Sequence, residues 1–191
     1  MANKLELTWV GKENEIKVEP RILIENPALS NMSHKTAGQA SIFDTENADG
    51  FDNMLIHGDN LLALKALERK FAGKIKCIYI DPPYNTGNAF EQYDDNIEHS
   101  IWLNLIRARL QLLKNLLSEE GVIFVQINDD EAAYLKVVLD EIFGRSNYET
   151  TLYIKVRHED RILREDIRYQ LVMEQVLVYR KSPLFVPPRR E

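Results

Sequence analysis

Glycine is sparse in this chain. The eight glycines among 191 residues lie far apart, and no two are separated by a single residue. That excludes from these residues the Gly-x-Gly turn that commonly brings a nucleotide-like cofactor against backbone N–H groups. Cysteine is scarcer still, with Cys77 the sole example. A disulfide framework and a cysteine-rich zinc site are thereby excluded, and a reducing cytoplasm is the expected setting. No stretch of 18 apolar residues occurs, so no membrane-spanning helix is expected. Met1 to Glu6 has no apolar core of the kind a secretion signal needs. Internal repeats and low-complexity stretches are also missing. At 45% hydrophobic residues, the chain can nevertheless build a core.

Positive charge is short overall, with 24 Lys and Arg against 30 Asp and Glu and a net charge of −6. The deficit is uneven. Residues 151–191 hold nine basic and six acidic side chains, whereas residues 1–150 hold 15 basic and 24 acidic. Contacts to a polyanion would therefore come mainly from the C-terminal segment or from sequence beyond this chain. For Arg157 to Arg168, a solvated mixed-charge face and a nucleic-acid contact both stay open.

The first fifty residues mix short apolar runs with turn formers such as Pro20, Pro27 and Asp49-Gly50. They read as an arm (1–50) packing on a domain (51–191). Met54 to His57 reads as a short strand, turned by Gly58-Asp59-Asn60 into a helix over Leu61 to Lys70, with Asp59 or Asn60 as its cap. Ile75 to Ile80 reads as a buried strand. Trp102, Ile106, Leu110, Leu113 and Leu117 mark a long amphipathic helix over Ile97 to Ser118, ended by Gly121. Val122 to Ile127 is a second buried strand. Asn128 and Glu131 have capping-box spacing at the start of a helix whose apolar face is Leu135, Val138, Leu139, Ile142 and Phe143. Thr151 to Val156 and Gln175 to Tyr179 read as two more strands. Strands alternating with helices predict an α/β fold with a parallel sheet.

One tetrapeptide carries the chemistry. Asp81-Pro82-Pro83-Tyr84 follows Ile75 to Ile80 without a gap. A carboxylate, a stiffened carbonyl and an aromatic ring then stand at the carboxyl end of a sheet, where ligands bind in open α/β folds. The plainer alternative is a proline-stiffened turn after a strand. Asp129, Asp130 and Glu131 cluster after the second strand and could suggest a metal. Helix capping explains them better, since no histidine is close in sequence. His57 and His99 have no nucleophile or carboxylate at a meaningful spacing and read as structural.

Ile78-Tyr79-Ile80-Asp81-Pro82-Pro83-Tyr84 resembles the catalytic motif of amino-group DNA methyltransferases. Asn85-Thr86-Gly87-Asn88 continues it as in the adenine-N6 modification subunits of type III restriction-modification systems. The likeness also covers Leu7 to Lys12, Pro20 to Leu23, Leu55 to Leu67, Gly121 to Glu131 and Leu139 to Gly144. It implies a Rossmann-like S-adenosylmethionine-dependent methyltransferase fold, incomplete here, with a mixed, mostly parallel sheet flanked by helices. The family places the catalytic motif first, then the target-recognition region, then the glycine-rich cofactor motif. This sequence thus corresponds to the N-terminal part, and it is expected to be inactive alone.

The resemblance implies Asp81, Pro82, Pro83 and Tyr84 as the catalytic group. It puts Asp59, Asp81, Asn85 and Thr86 near S-adenosylmethionine, although a plain N-cap explains Asp59 nearly as well. Two acceptors, the Asp81 carboxylate and the Pro82 carbonyl, would take the N6–H bonds of adenine and expose the nitrogen lone pair. Tyr84 would stack on the base once it has left the duplex. Stacking needs only the ring, so Tyr84→Phe is expected to keep most activity. The implied partners are double-stranded DNA, the restriction subunit and a second copy of the complete protein. N4-cytosine methylation is the nearest rival, and Asp in place of Ser at position 81 argues for adenine by resemblance. Protein-glutamine methyltransferases carry Asn at that position. A non-catalytic fragment that binds DNA or a subunit is the rival of another kind.

Overall fold

The computed structural model describes residues 6–14, 17–26, 28–29, 53–84, 95–156 and 172–188. Three helices and four strands follow in the order α1 (Asn60–Phe71), β1 (Ile75–Ile80), α2 (Asp95–Leu116), β2 (Leu117–Ile127), α3 (Asp129–Phe143), β3 (Tyr148–Lys155) and β4 (Met173–Arg180). A single turn of 3-10 helix, Arg145–Asn147, joins α3 to β3. The sheet order is β1-β2-β4-β3.

The sheet is mixed, but only one of its three pairings is parallel. β1 and β2 run parallel, as a strand–helix–strand unit requires. β4 pairs antiparallel with both β2 and β3. Alternation of strand and helix stops after α3, so nothing between β3 and β4 among the described residues forces a parallel return.

Alternation of side chains along the central strands separates two faces. Ile123, Val125 and Ile127 of β2, with Leu177 and Tyr179 of β4, pack against Trp102, Ile106, Leu110, Leu135, Val138 and Leu139 of α2 and α3. The opposite face gathers Val122, Val176 and Val178, with Phe124 and Phe185 alongside. β1 was expected to be buried, yet only Ile78 is; Cys77 is exposed and Tyr79 is 55% exposed. The helices cover one face of β1, and no described element covers the other.

Residues 53–57 form no strand, and Leu55 is fully exposed. A strand needs a partner to satisfy its backbone, and none of the described segments offers one. Helix α1 does form, with Asp59 as its cap. Near the N-terminus, buried Lys12 bridges Glu6 and Glu141, each at 2.9 Å. Burial opposes its charge, but hydrogen bonds to Glu6 and Glu141 outweigh this and raise its pKa. The Trp9 indole donates to Asn104 Oδ1 at 2.8 Å. Residues 6–14 are thus fastened to α2 and α3.

Gly121 was expected to separate α2 from the next strand. Instead α2 ends at Leu116, and β2 runs through Gly121 from Leu117. The β1 register jumps there, from Ile75↔Leu117 to Cys77↔Val122. A Cβ at position 121 would lie 2.9 Å from the carbonyl oxygens of Ile75 and Ser118. Backbone cannot retreat as a flexible side chain can. Gly121→Ala is therefore expected to destabilise the fold by about 1–3 kcal/mol, read as a lowered unfolding midpoint in a full-length protein carrying this segment.

Candidate active site

Parallel pairing brings the carboxyl ends of β1 and β2 to one edge of the sheet. Asp81 to Tyr84 leave β1 there, and Asn128 leaves β2 beside them. Antiparallel β4 begins at the same edge, with Gln175 opposite Ile127. The motif therefore meets residues from three strands.

Asp81 is exposed, and Tyr84 is partly buried. The Tyr84 hydroxyl donates to Glu174 Oε2 at 2.8 Å and accepts from Gln126 Nε2 at 3.1 Å. Gln126 Nε2 also donates to Glu174 Oε2 at 2.6 Å, and the Tyr79 hydroxyl donates to Gln126 Oε1. Burial, then hydrogen bonding with Glu174 and Asp81, pushes the Tyr84 phenol well above its ordinary pKa. The hydroxyl thus stays protonated as a donor. From the helix side, the Trp102 indole donates to the Pro83 carbonyl at 2.6 Å. Trp102 has no exposed surface.

Sequence reasoning missed three of these residues. Trp102 looked like one more apolar position of α2, because its N–H partner lies 19 residues away. Gln126 carried a signal, since it is the only polar residue in the run Val122 to Ile127. Glu174 stands just before the apolar run of β4, where an acidic residue looks like a strand end.

Asp59 caps α1: its Oδ1 accepts from the backbone N–H groups of Leu61 and Leu62 at 2.9 and 3.1 Å. Its Oδ2 lies 3.6 Å from the Arg109 guanidinium, and the side chain is 53% exposed. Asn85 and Thr86 lie outside the described residues, as do Arg157 to Arg168.

The acidic cluster after β2 divides differently from its expected capping box. Asn128 makes no side-chain cap, and its amide donates to Asp130 Oδ2 at 2.7 Å. Asp129 Oδ1 accepts from Gln175 Nε2 at 2.8 Å. Glu131 is fully buried and reaches His99, with Oε1 2.8 Å from Nδ1. His99 therefore has a carboxylate partner, 32 positions away in sequence, which spacing could not reveal. Acidic side chains in the first turn of α3 also suit the positive end of its dipole. Among the described residues, no three His, Cys, Asp or Glu side chains are placed to hold a metal. No described helix is long and apolar enough to cross a membrane.

Known proteins share this arrangement of sequence. The chain is 44% identical to a probable type III restriction-modification enzyme HindVI Mod subunit of Haemophilus influenzae, over 71% of this chain and 19% of that protein. It is 34% identical to the type III restriction-modification enzyme StyLTI Mod subunit of Salmonella typhimurium, over 68% of this chain and 24% of that protein. The type III restriction-modification enzyme EcoP15I Mod subunit of Escherichia coli is 32% identical, over 88% of this chain and 31% of that protein. The chain thus spans about a fifth to a third of the length of these curated relatives. Residues 75–188, from the first paired strand to beyond the last, match the family described as DNA methylase. With more than half of its residues in that match, the chain belongs to the DNA methylase family.

Proposed function

We propose that this chain is the catalytic-motif segment of a type III modification subunit, an enzyme that methylates the N6 of a flipped adenine in duplex DNA. The observation that carries the reading is Asp81, exposed at the carboxyl end of β1 in a motif loop fastened from both sides. Asp81 accepts one N6–H of the adenine, and the Pro82 carbonyl accepts the other. Trp102 takes the next carbonyl, that of Pro83, which fixes the turn without occupying the Pro82 oxygen. The Tyr84 ring stacks on the base, which offsets part of the few kcal/mol that flipping costs.

S-adenosylmethionine is the methyl donor, and it supplies a methyl group made electrophilic by the attached sulfonium. The described residues fit one side of this cofactor. Asp59 and Asp81 present exposed carboxylates that can accept from its hydroxyl or ammonium groups. The family resemblance adds Asn85 and Thr86 as cofactor contacts. The chain spans only about a fifth to a third of its curated relatives, and the rest of the pocket is assigned to the remainder of a full-length protein. In this reading residues 1–50 are assigned as an N-terminal arm, of which residues 6–14 pack on α2 and α3, and residues 51–191 as the partial catalytic domain. The complete protein works on DNA in the cytoplasm, as a homodimer together with a restriction subunit.

Asp59 offers a check on the cofactor side. Asparagine caps helices about as well as aspartate, whereas alanine costs about 1 kcal/mol. Asp59→Asn should leave the unfolding midpoint of the full-length protein unchanged while weakening S-adenosylmethionine binding in calorimetry. Unchanged binding would leave Asp59 as a helix cap alone.

The functional reading is tested by methyl transfer from labelled cofactor to duplex DNA, followed by nucleoside analysis. N6-methyladenine is expected from a full-length protein carrying this segment. N4-methylcytosine would move the assignment to the rival base, and absence of label would leave a binding fragment.

A further inference from the structure

We propose that Glu174 is a positioning residue for the motif loop: with Gln126, it holds the Tyr84 hydroxyl and so sets the plane of the ring that meets the base. The proposal rests on the methyltransferase reading and adds to it a residue outside the motif, contributed by β4.

The argument begins with strand register. Gln126 lies opposite Val176 in the antiparallel β2–β4 pair, so Glu174, two residues before Val176, projects from the same face. Tyr79 lies opposite Phe124 in the parallel β1–β2 pair and shares that face as well. Three strands thus deliver one polar group each to the site end of a face whose buried residues are Val122, Val176 and Val178. The groups interlock. Gln126 donates to both Glu174 and the Tyr84 oxygen, and Tyr84 donates to the same Glu174 oxygen.

A tyrosine ring turns about two side-chain bonds, and its backbone alone does not fix the ring plane. Here the backbone is held at Pro83 by Trp102, and the far end of the ring is held at the hydroxyl. A carboxylate acceptor makes the stronger kind of hydrogen bond. With both ends fixed, the ring keeps one orientation before the base arrives, and no ordering is required during the reaction. Tyr84→Phe, near-neutral if stacking alone mattered, then becomes costly.

A double-variant series in a full-length protein carrying this segment tests the proposal. Tyr84→Phe and Glu174→Ala should each slow single-turnover methyl transfer about tenfold, with DNA and cofactor dissociation constants changed less than about twofold. Because Glu174 acts through the hydroxyl, the double variant should be no slower than either single one. Glu174→Gln, which keeps a neutral acceptor, should recover most of the rate. A 19F resonance from 3-fluorotyrosine at position 84 reads the ring without turnover. It should be one sharp line in the wild type and should broaden or split in Glu174→Ala.

Additive losses in the double variant would overturn the proposal. So would a Glu174→Ala variant whose rate per folded molecule is normal, or whose 19F line is unchanged. A wild-type protein that fails to methylate adenine overturns the functional reading instead, and the 19F comparison still decides whether Glu174 holds the ring.

Discussion

Replacement of Asp81 by alanine in a full-length protein carrying this segment is expected to slow methyl transfer by about a thousandfold or more, with folding nearly unchanged. Asp81 is exposed, so its loss opens no cavity in the core. In the proposed mechanism it removes the charged acceptor for an adenine N6–H as that nitrogen becomes nucleophilic. Removing one preorganised group that stabilises developing charge typically costs about 10²–10³ in rate. Here the loss also returns the amino lone pair to the ring. Cofactor binding should fall less than the rate, because the interaction is made chiefly in the transition state. Single-turnover kinetics and thermal unfolding on the same preparation check both halves. Near-normal turnover would remove Asp81 from the mechanism.

The isolated 191-residue chain is expected to show no methyl transfer, to bind S-adenosylmethionine weakly or not at all, and to self-associate. Among the described residues, β1 pairs with β2 on one side and with nothing on the other. On that edge strand Tyr79 and Cys77 are exposed, and elsewhere Met54 and Leu55 are 42% and 100% exposed. An unpaired strand edge with apolar side chains around it is a template for another chain. The chain also spans only about a fifth to a third of its curated relatives. Sedimentation and calorimetry on the purified chain decide the matter. A monomer that binds the cofactor at micromolar affinity would overturn the expectation. Co-expression with the portion of the Haemophilus influenzae relative outside the matched segment should improve solubility and restore methyl transfer.

Periodicity in the sequence determined a large part of this molecule. The 3.6-residue spacing of Trp102, Ile106, Leu110 and Leu113 set α2. The face from Leu135 to Phe143 set α3, and the apolar run Val122 to Ile127 set the central strand. Such patterns are local, because a helix or strand must place its apolar side chains on whichever face will be buried. The placement of Asp81 to Tyr84 directly after a strand was equally local. It put the candidate site at a strand end before any contact was known.

Tertiary structure alone decided the rest, wherever the deciding partner is distant in sequence. Met54 to His57 has the composition of a strand, but pairing requires a neighbour, and the described residues supply none. Gly121 looks like a helix breaker. Its role as the one residue able to pass the Ile75 carbonyl appears only when β1 lies beside β2. Glu131 has the spacing of a capping box, yet its side chain turns inward to His99 across the packing of α2 and α3. The Tyr84 hydroxyl meets Glu174, 90 residues further along the chain, because antiparallel pairing starts β4 where β2 ends. Backbone and packing preferences act over a few residues and can be read in one dimension. Hydrogen bonds between side chains depend on strand order and register, which the folded sheet alone provides.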